Sequence, residues 1–218
     1  MPNETAPDDL PKIWYTRILQ STNVQLRMDF SIERDALEYK HDFILYRPVA
    51  RKDAPTHLTL KRGHERIAST CKDAFIIIDG LLVISPKFRD VLTRFDLGRT
   101  GLFEVPIYQP DGETLSDYPP HYILHVAETK DCFVPEASEY VRQMIRYGET
   151  EPRPNAPWAA DFTRDRLAVR ASAAEGVDLW AHPNLSERLF FSDRLKQAIE
   201  AAELATKDFG PIAATIVA

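Results

Sequence analysis

Phe75-Ile76-Ile77-Ile78-Asp79-Gly80-Leu81-Leu82-Val83-Ile84-Ser85-Pro86-Lys87-Phe88-Arg89-Asp90-Val91-Leu92 carries two apolar runs, a tight turn between them and a helix start. Phe75–Ile78 has the length and β-branched content of a buried strand. Asp79-Gly80 reverses the chain, because glycine enters the positive φ of a tight turn without steric cost. Leu81–Ile84 is the returning strand. Ser85 can accept from the free amides of a first helical turn, and Pro86 suits the first helical position because it has no amide to lose. Phe88, Val91, Leu92 and Phe95 then fall on one helical face. Gly98 is placed to end that helix.

A second stretch 107 positions later follows the same order. Leu189-Phe190-Phe191-Ser192-Asp193-Arg194-Leu195-Lys196 parallels Leu82-Val83-Ile84-Ser85-Pro86-Lys87-Phe88-Arg89, and Leu195, Ala198, Ile199 and Ala202 keep the register of the first helix face. Such a unit cannot bury its own apolar face, so two copies are expected to pack with the remaining strands. The expected fold is α+β, mostly β-sheet with a few helices, containing two related strand–capped helix–strand units. Lys87, Arg89, Arg194 and Lys196 are expected on the solvent side, and Asp193 suits a helix N-terminus.

Further strands are expected at Ile13-Trp14-Tyr15, Phe43–Tyr46 before Pro48, Leu102–Tyr108 with Pro106 favouring an edge, His121–Ala127, Arg166–Arg170 and around Trp180. Residues 1–11 read as a flexible tail. Residues 12–218 form one α+β domain or two packed halves divided near 148–159, where Pro152, Pro154 and Pro157 give linker-like composition.

Composition narrows the function. Hydrophobic residues are 44% and charged residues 28% of the 218, enough for a sizeable core. The net charge is −6, and residues 1–110 hold 16 Lys/Arg against 15 Asp/Glu, so the acidity lies in the second half. That balance gives no general reason to bind nucleic acid. The excess of basic residues over 47–66 reads as a solvated face or a binding patch. The start of the chain lacks a signal-peptide pattern, and the longest apolar run is far too short for a membrane span. A cytoplasmic location without a membrane anchor is expected. Cys71 and Cys132 have neither metal nor disulfide spacing and read as reduced structural thiols.

Motifs of catalysis are few. No phosphate loop, serine elbow or zinc-protease helix occurs. His121 and His125, four apart on a strand, would stand about 13 Å apart, too far to share a metal. No cofactor or metal is expected. Trp180 is either a core anchor or an interface hot spot. The stretch 111–151 holds nine acidic residues against Lys130, Arg142 and Arg146. Asp111, Glu113, Asp117, Glu128, Asp131, Glu136 and Glu139 are the candidate partner-binding residues, with a solvated acidic face as the alternative.

Asp79 through Leu92 resembles the central signature of the bacterial polymorphic-toxin immunity proteins of the "immunity protein eleven" type, also called the MXAN-type immunity domain. Asp178-Leu179-Trp180, His182-Pro183 and Leu189 through Ala202 are similar to that family's closing motif. The likeness covers roughly residues 75–210. It implies a protein encoded beside a toxin, which protects its own cell by binding that toxin, without catalytic residues. The expected function is neutralisation of a cognate toxin by occlusion. The alternatives are a hydrolase-like enzyme with a site assembled from distant residues and a structural or regulatory binding protein.

Overall fold

A computed structural model describes residues 11–21, 25–63, 73–204 and 209–217. Among them, the strands are β1 (Ile13–Thr16), β2 (Gln25–Leu26), β3 (Met28–Ser31), β4 (His57–Leu60), β5 (Ala74–Ile77), β6 (Leu82–Ile84), β7 (Gly101–Val105) and β8 (Ile107–Tyr108). They continue with β9 (His121–His125), β10 (Val141–Gln143), β11 (Trp158–Ala160), β12 (Ala168–Arg170), β13 (Leu179–Ala181), β14 (Leu189–Ser192), β15 (Ile212–Ala213) and β16 (Thr215–Val217). The α-helices are α1 (Ala36–Ile44), α2 (Pro86–Leu92) and α3 (Asp193–Ala201). The architecture is α+β and mostly sheet. The expected tail lies almost wholly outside the described residues, as do Cys71, Glu65 and Arg66.

Two sheets share their outer strands. One runs β2-β5-β6-β9-β7 and the other β3-β4-β8. Only Arg27 separates β2 from β3, and only Pro106 separates β7 from β8. Each of these pairs is one strand that bends and changes sheet, so the ladder of pairings closes on itself. Pro106 has no amide to leave unpaired at the bend, and its carbonyl accepts from the Leu58 amide at 2.9 Å. β7 is the last strand of its sheet, which is the edge position that proline favours. Closure leaves this part of the molecule with few open edges.

Inside the closure a single row of facing residues, Phe75, Val83, Ile123 and Phe103, crosses four strands. All four are buried. Gly101 leaves room for the Phe103 ring, since a Cβ there would stand 2.4 Å from it.

The sheet β13-β14-β1-β15 is covered on both faces. Trp180, Phe190, Tyr15 and Ile212 face one another across it on one side, and Leu179, Phe191, Trp14 and Ala213 on the other. Phe191 and Leu179 join the large core with the closed sheet. Trp180, Phe190 and Tyr15 join a smaller core with Cys132, Phe133, Leu167 and Val169. Period-two alternation thus sends neighbouring residues of β14 into different cores.

Both serine caps form as the sequence suggests. Ser85 Oγ accepts from the Phe88 amide at 3.2 Å, and Ser192 Oγ accepts from the Leu195 amide at 3.2 Å. Each hydroxyl donates to an aspartate that opens the preceding hairpin, Asp73 or Asp178. α2 stops at Leu92, six residues before Gly98, so Phe95 lies beyond it. The four bases do not all stand free in solvent. Lys87 is exposed, but Arg89 lies over Tyr122, Lys196 over Trp14, and Arg194 binds Asp178.

One expected strand is a helix. Phe43 ends an apolar face of α1 with Tyr39, and the chain turns at Tyr46 with φ 55°. Asp35 caps α1 by accepting from the Leu37 and Glu38 amides. The Asp35-Ala-Leu-Glu38 spacing is a helix-start signal, and it outweighs the short apolar run that reads as a strand.

Asp165 has a fully buried side chain, and its carbonyl accepts from the Tyr15 hydroxyl at 2.8 Å. Arg188, itself fully buried, donates to it through Nε at 2.8 Å, and Arg17 binds from the other side. Arg188 also reaches the Ala160 carbonyl at 3.1 Å. Removing one member leaves a buried charge uncompensated. Asp165→Ala is therefore expected to lower unfolding stability by roughly 3–5 kcal/mol in urea titration. A loss under about 1 kcal/mol would show that the arginines find other partners.

Candidate interaction surfaces

The seven acidic candidates fall into two groups at opposite ends of β9. Asp111, Glu113 and Asp117 lie in the connection from β8 to β9, whose turn closes with the Gln109 amide donating to the Thr114 carbonyl at 2.8 Å. Asp111 folds that turn itself, accepting from the Glu113 and Thr114 amides at 3.0 and 2.9 Å. Glu113 and Asp117 are exposed. Glu128, Asp131, Glu136 and Glu139 follow β9 along the smaller core, and three of them have partners. Glu128 accepts from the Arg99 amide at 2.7 Å and its guanidinium at 2.9 Å. Asp131 accepts from His182 Nε2 at 3.1 Å. Glu139 lies 3.9 Å from Arg166. Glu136 is exposed.

Lys130 was visible in the sequence only as one positive charge. Its ammonium donates to the carbonyls of Ala173, Glu175 and Val177 at 2.8, 2.6 and 3.0 Å. It also stands 3.7 Å from the centre of the Trp180 ring. Burial lowers its pKa. Trp180 is wholly buried and stacks on Phe190, so it is a core anchor. Cys132 is buried too, and burial pushes its thiol pKa up, away from the activated range of a nucleophile.

His121 and His125 both face inward on β9. His125 holds α1 to the sheet: its Nε2 donates to the Arg47 carbonyl at 2.6 Å, and Nδ1 accepts from the Tyr39 hydroxyl at 3.3 Å. The carbonyl fixes one proton on Nε2, and Nδ1 can accept from the hydroxyl only while the ring is neutral. His121 has its Nδ1 beside the Pro119 carbonyl at 2.9 Å.

Two surfaces leave large apolar side chains in water. The first is a cleft of about 410 Å³ between α1 and the β5–β6 turn, walled by Phe43, Ile44, Tyr46, Ile78 and Leu19. Lys40 and Asp79 form an ion pair at its side. Ile44 is 63% and Ile78 44% exposed. The second surrounds β10, where Tyr140, Met144, Ile145, Tyr147 and Phe162 are all exposed. Large exposed apolar patches are found where proteins meet, and Tyr, Met and Arg are enriched there. Neither surface is legible in the sequence, because a single apolar residue in a loop reads the same whether it is buried or not.

These features belong to a β-rich α+β protein with apolar side chains left on its surface. A family model described as an immunity protein family, Imm11, matches residues 18–214, and the chain belongs to that family. No curated protein matches it. Among the described residues no helix is long and apolar enough to cross a membrane.

The buried histidines give stability a pH dependence of known sign. Burial lowers the pKa of His121, His125 and His182 from the ordinary 6.5, opposed at His182 by Asp131. The unfolded chain therefore takes up protons first as pH falls. Stability is full above 6.5 and is lost as pH drops toward the lower folded values. The carboxylate of Asp42, held low by Arg34, titrates beneath this window. The urea midpoint should fall between about pH 7.5 and about pH 5.5. His125→Gln, which can keep one donor and one acceptor, should show a shallower fall. An unchanged midpoint in the native chain would contradict this account.

Proposed function

We propose that this chain neutralises a cognate toxin by binding it and covering its working surface, with no chemistry of its own. The observation that carries the reading is the immunity-family match over residues 18–214. The solvent-facing apolar residues around β10 and beside α1 support it, since a binding protein needs such anchors at an interface. The toxin is proposed to be the product of an adjacent gene, and the encounter to take place in the cytoplasm of a bacterium. In this reading the first 70 residues and the rest of the chain work as one body. Asp111, Glu113, Asp117 and Glu136, which take no part in the ion pairs of the described residues, supply long-range attraction to a cationic part of the toxin.

The test is co-expression with the C-terminal domain of the neighbouring toxin. Cells should survive only when both proteins are made, and the two should co-purify. Killing that persists at equal expression overturns the reading, as does protection without any complex. Turnover of a substrate by the isolated chain would replace it with an enzymatic one.

A further inference from the structure

We propose that β10 is the docking edge for the toxin, and that the toxin adds an acidic strand to it. This rests on the toxin-binding reading above. β10 pairs with β11 alone. Val141, Arg142 and Gln143 oppose Ala160, Ala159 and Trp158. The Asp161 amide donates to the Tyr140 carbonyl at 2.9 Å, and the Met144 amide to the Pro157 carbonyl at 2.8 Å. These two bonds set the alternation of the ladder. The amides and carbonyls of Val141 and Gln143 therefore point away from β11. They have no backbone partner among the described residues. Four backbone groups in a row are a template for an added strand.

Neighbouring edges are covered. The chain at 128–130 lies along β13, through Lys130 N to Ala181 O at 2.9 Å and Ala181 N to Glu128 O at 2.9 Å. Residues 132–134 lie along β12 in the same way, and Asn184 to Ser186 along β11. On its outward side the chain is paired just ahead of β10, where Glu139 exchanges backbone bonds with Arg166 at 2.9 and 3.2 Å. From Val141 to Gln143 that side is left open, beside Tyr140, Met144, Ile145 and Tyr147.

Charge selects the occupant. The acidic residues near this edge are largely matched: Glu149 pairs with Arg153, Asp161 with Arg164, and Glu139 lies beside Arg166. Arg142 and Arg146 are exposed and belong to none of the ion pairs of the described residues. A second copy of this chain would bring Arg142 against Arg142 and be repelled. A strand carrying Glu or Asp at alternate positions is drawn in, with its apolar residues against Met144 and Ile145. The arginines thus admit one partner and oppose self-pairing.

The experiment uses the full chain and an inactivated form of the toxin domain that co-purifies with it. Gln143→Pro removes one outward amide donor without touching the β11 ladder, and edge strands tolerate proline. It should weaken the complex at least about tenfold while the unfolding midpoint stays close to that of the native chain. Arg142→Glu with Arg146→Glu, both on exposed side chains, should weaken it by a similar factor and flatten its salt dependence. In the complex, the Val141 and Gln143 amides should exchange with solvent far more slowly than in the free chain. A complex with unchanged affinity in both variants and unprotected amides overturns the edge and leaves toxin binding standing. Absence of any complex overturns both. A dimer of the free chain that Gln143→Pro dissolves would assign the edge to a second copy and overturn the acidic partner.

Discussion

Phe190 and Phe191 are neighbours on β14 and enter different cores, and the molecule depends on that division. A strand with both faces buried fixes its register twice, because a slip of one residue would exchange both apolar sets. β14 also ends in Ser192, whose hydroxyl caps α3 and whose amide donates to the Asp178 carbonyl at 3.0 Å. Asp178 in turn takes the Arg194 guanidinium and the Asp96 amide. One four-residue strand therefore sets the sheet, the helix and the turn at Asp96 together. Asp165 gathers contacts in the same way, since two arginines and the Tyr15 hydroxyl meet on this one residue.

The legible parts of the fold were those where local chemistry and periodicity agreed. Ser85-Pro86 and Ser192-Asp193 cap helices in the structure because cap chemistry is local. The Asp79-Gly80 turn is equally local, and Gly80 has φ 83°. Phe43–Tyr46 misled because four apolar residues fit either period, and the deciding signal lay eight residues upstream at Asp35. Sheet-switching at Arg27 and Pro106 was not legible at all. It depends on which strands meet, and nothing in a strand's own residues states its partner.

Charge shows the same limit more sharply. Counted along the chain, 111–151 is an acidic stretch. In space, Glu128, Asp131 and Glu139 are each beside a cation or a histidine from elsewhere in the chain, and Glu149 is beside Arg153. The potential outside a surface comes from what is left unmatched, so a sequence balance and a surface balance can differ in sign. Lys130 makes the point from the other side, since its charge is spent on three carbonyls and an indole ring.

A rigid interior and an adhesive exterior make opposite demands on a small β-rich protein. Burying every edge and every apolar residue gives the most stable molecule and one that binds nothing. Here the cost is confined to particular places. The closed sheet removes its edges by strand sharing, and β11, β12 and β13 are lined by neighbouring chain. β10 is joined to that frame by β11 along one side and by the Glu139–Arg166 bridge at its start on the other, while Val141 turns inward to the smaller core and Arg142 outward. Its backbone is held straight from behind and left free in front. An edge held in this way loses little conformational freedom when a partner strand arrives, which is the condition for tight binding through few contacts.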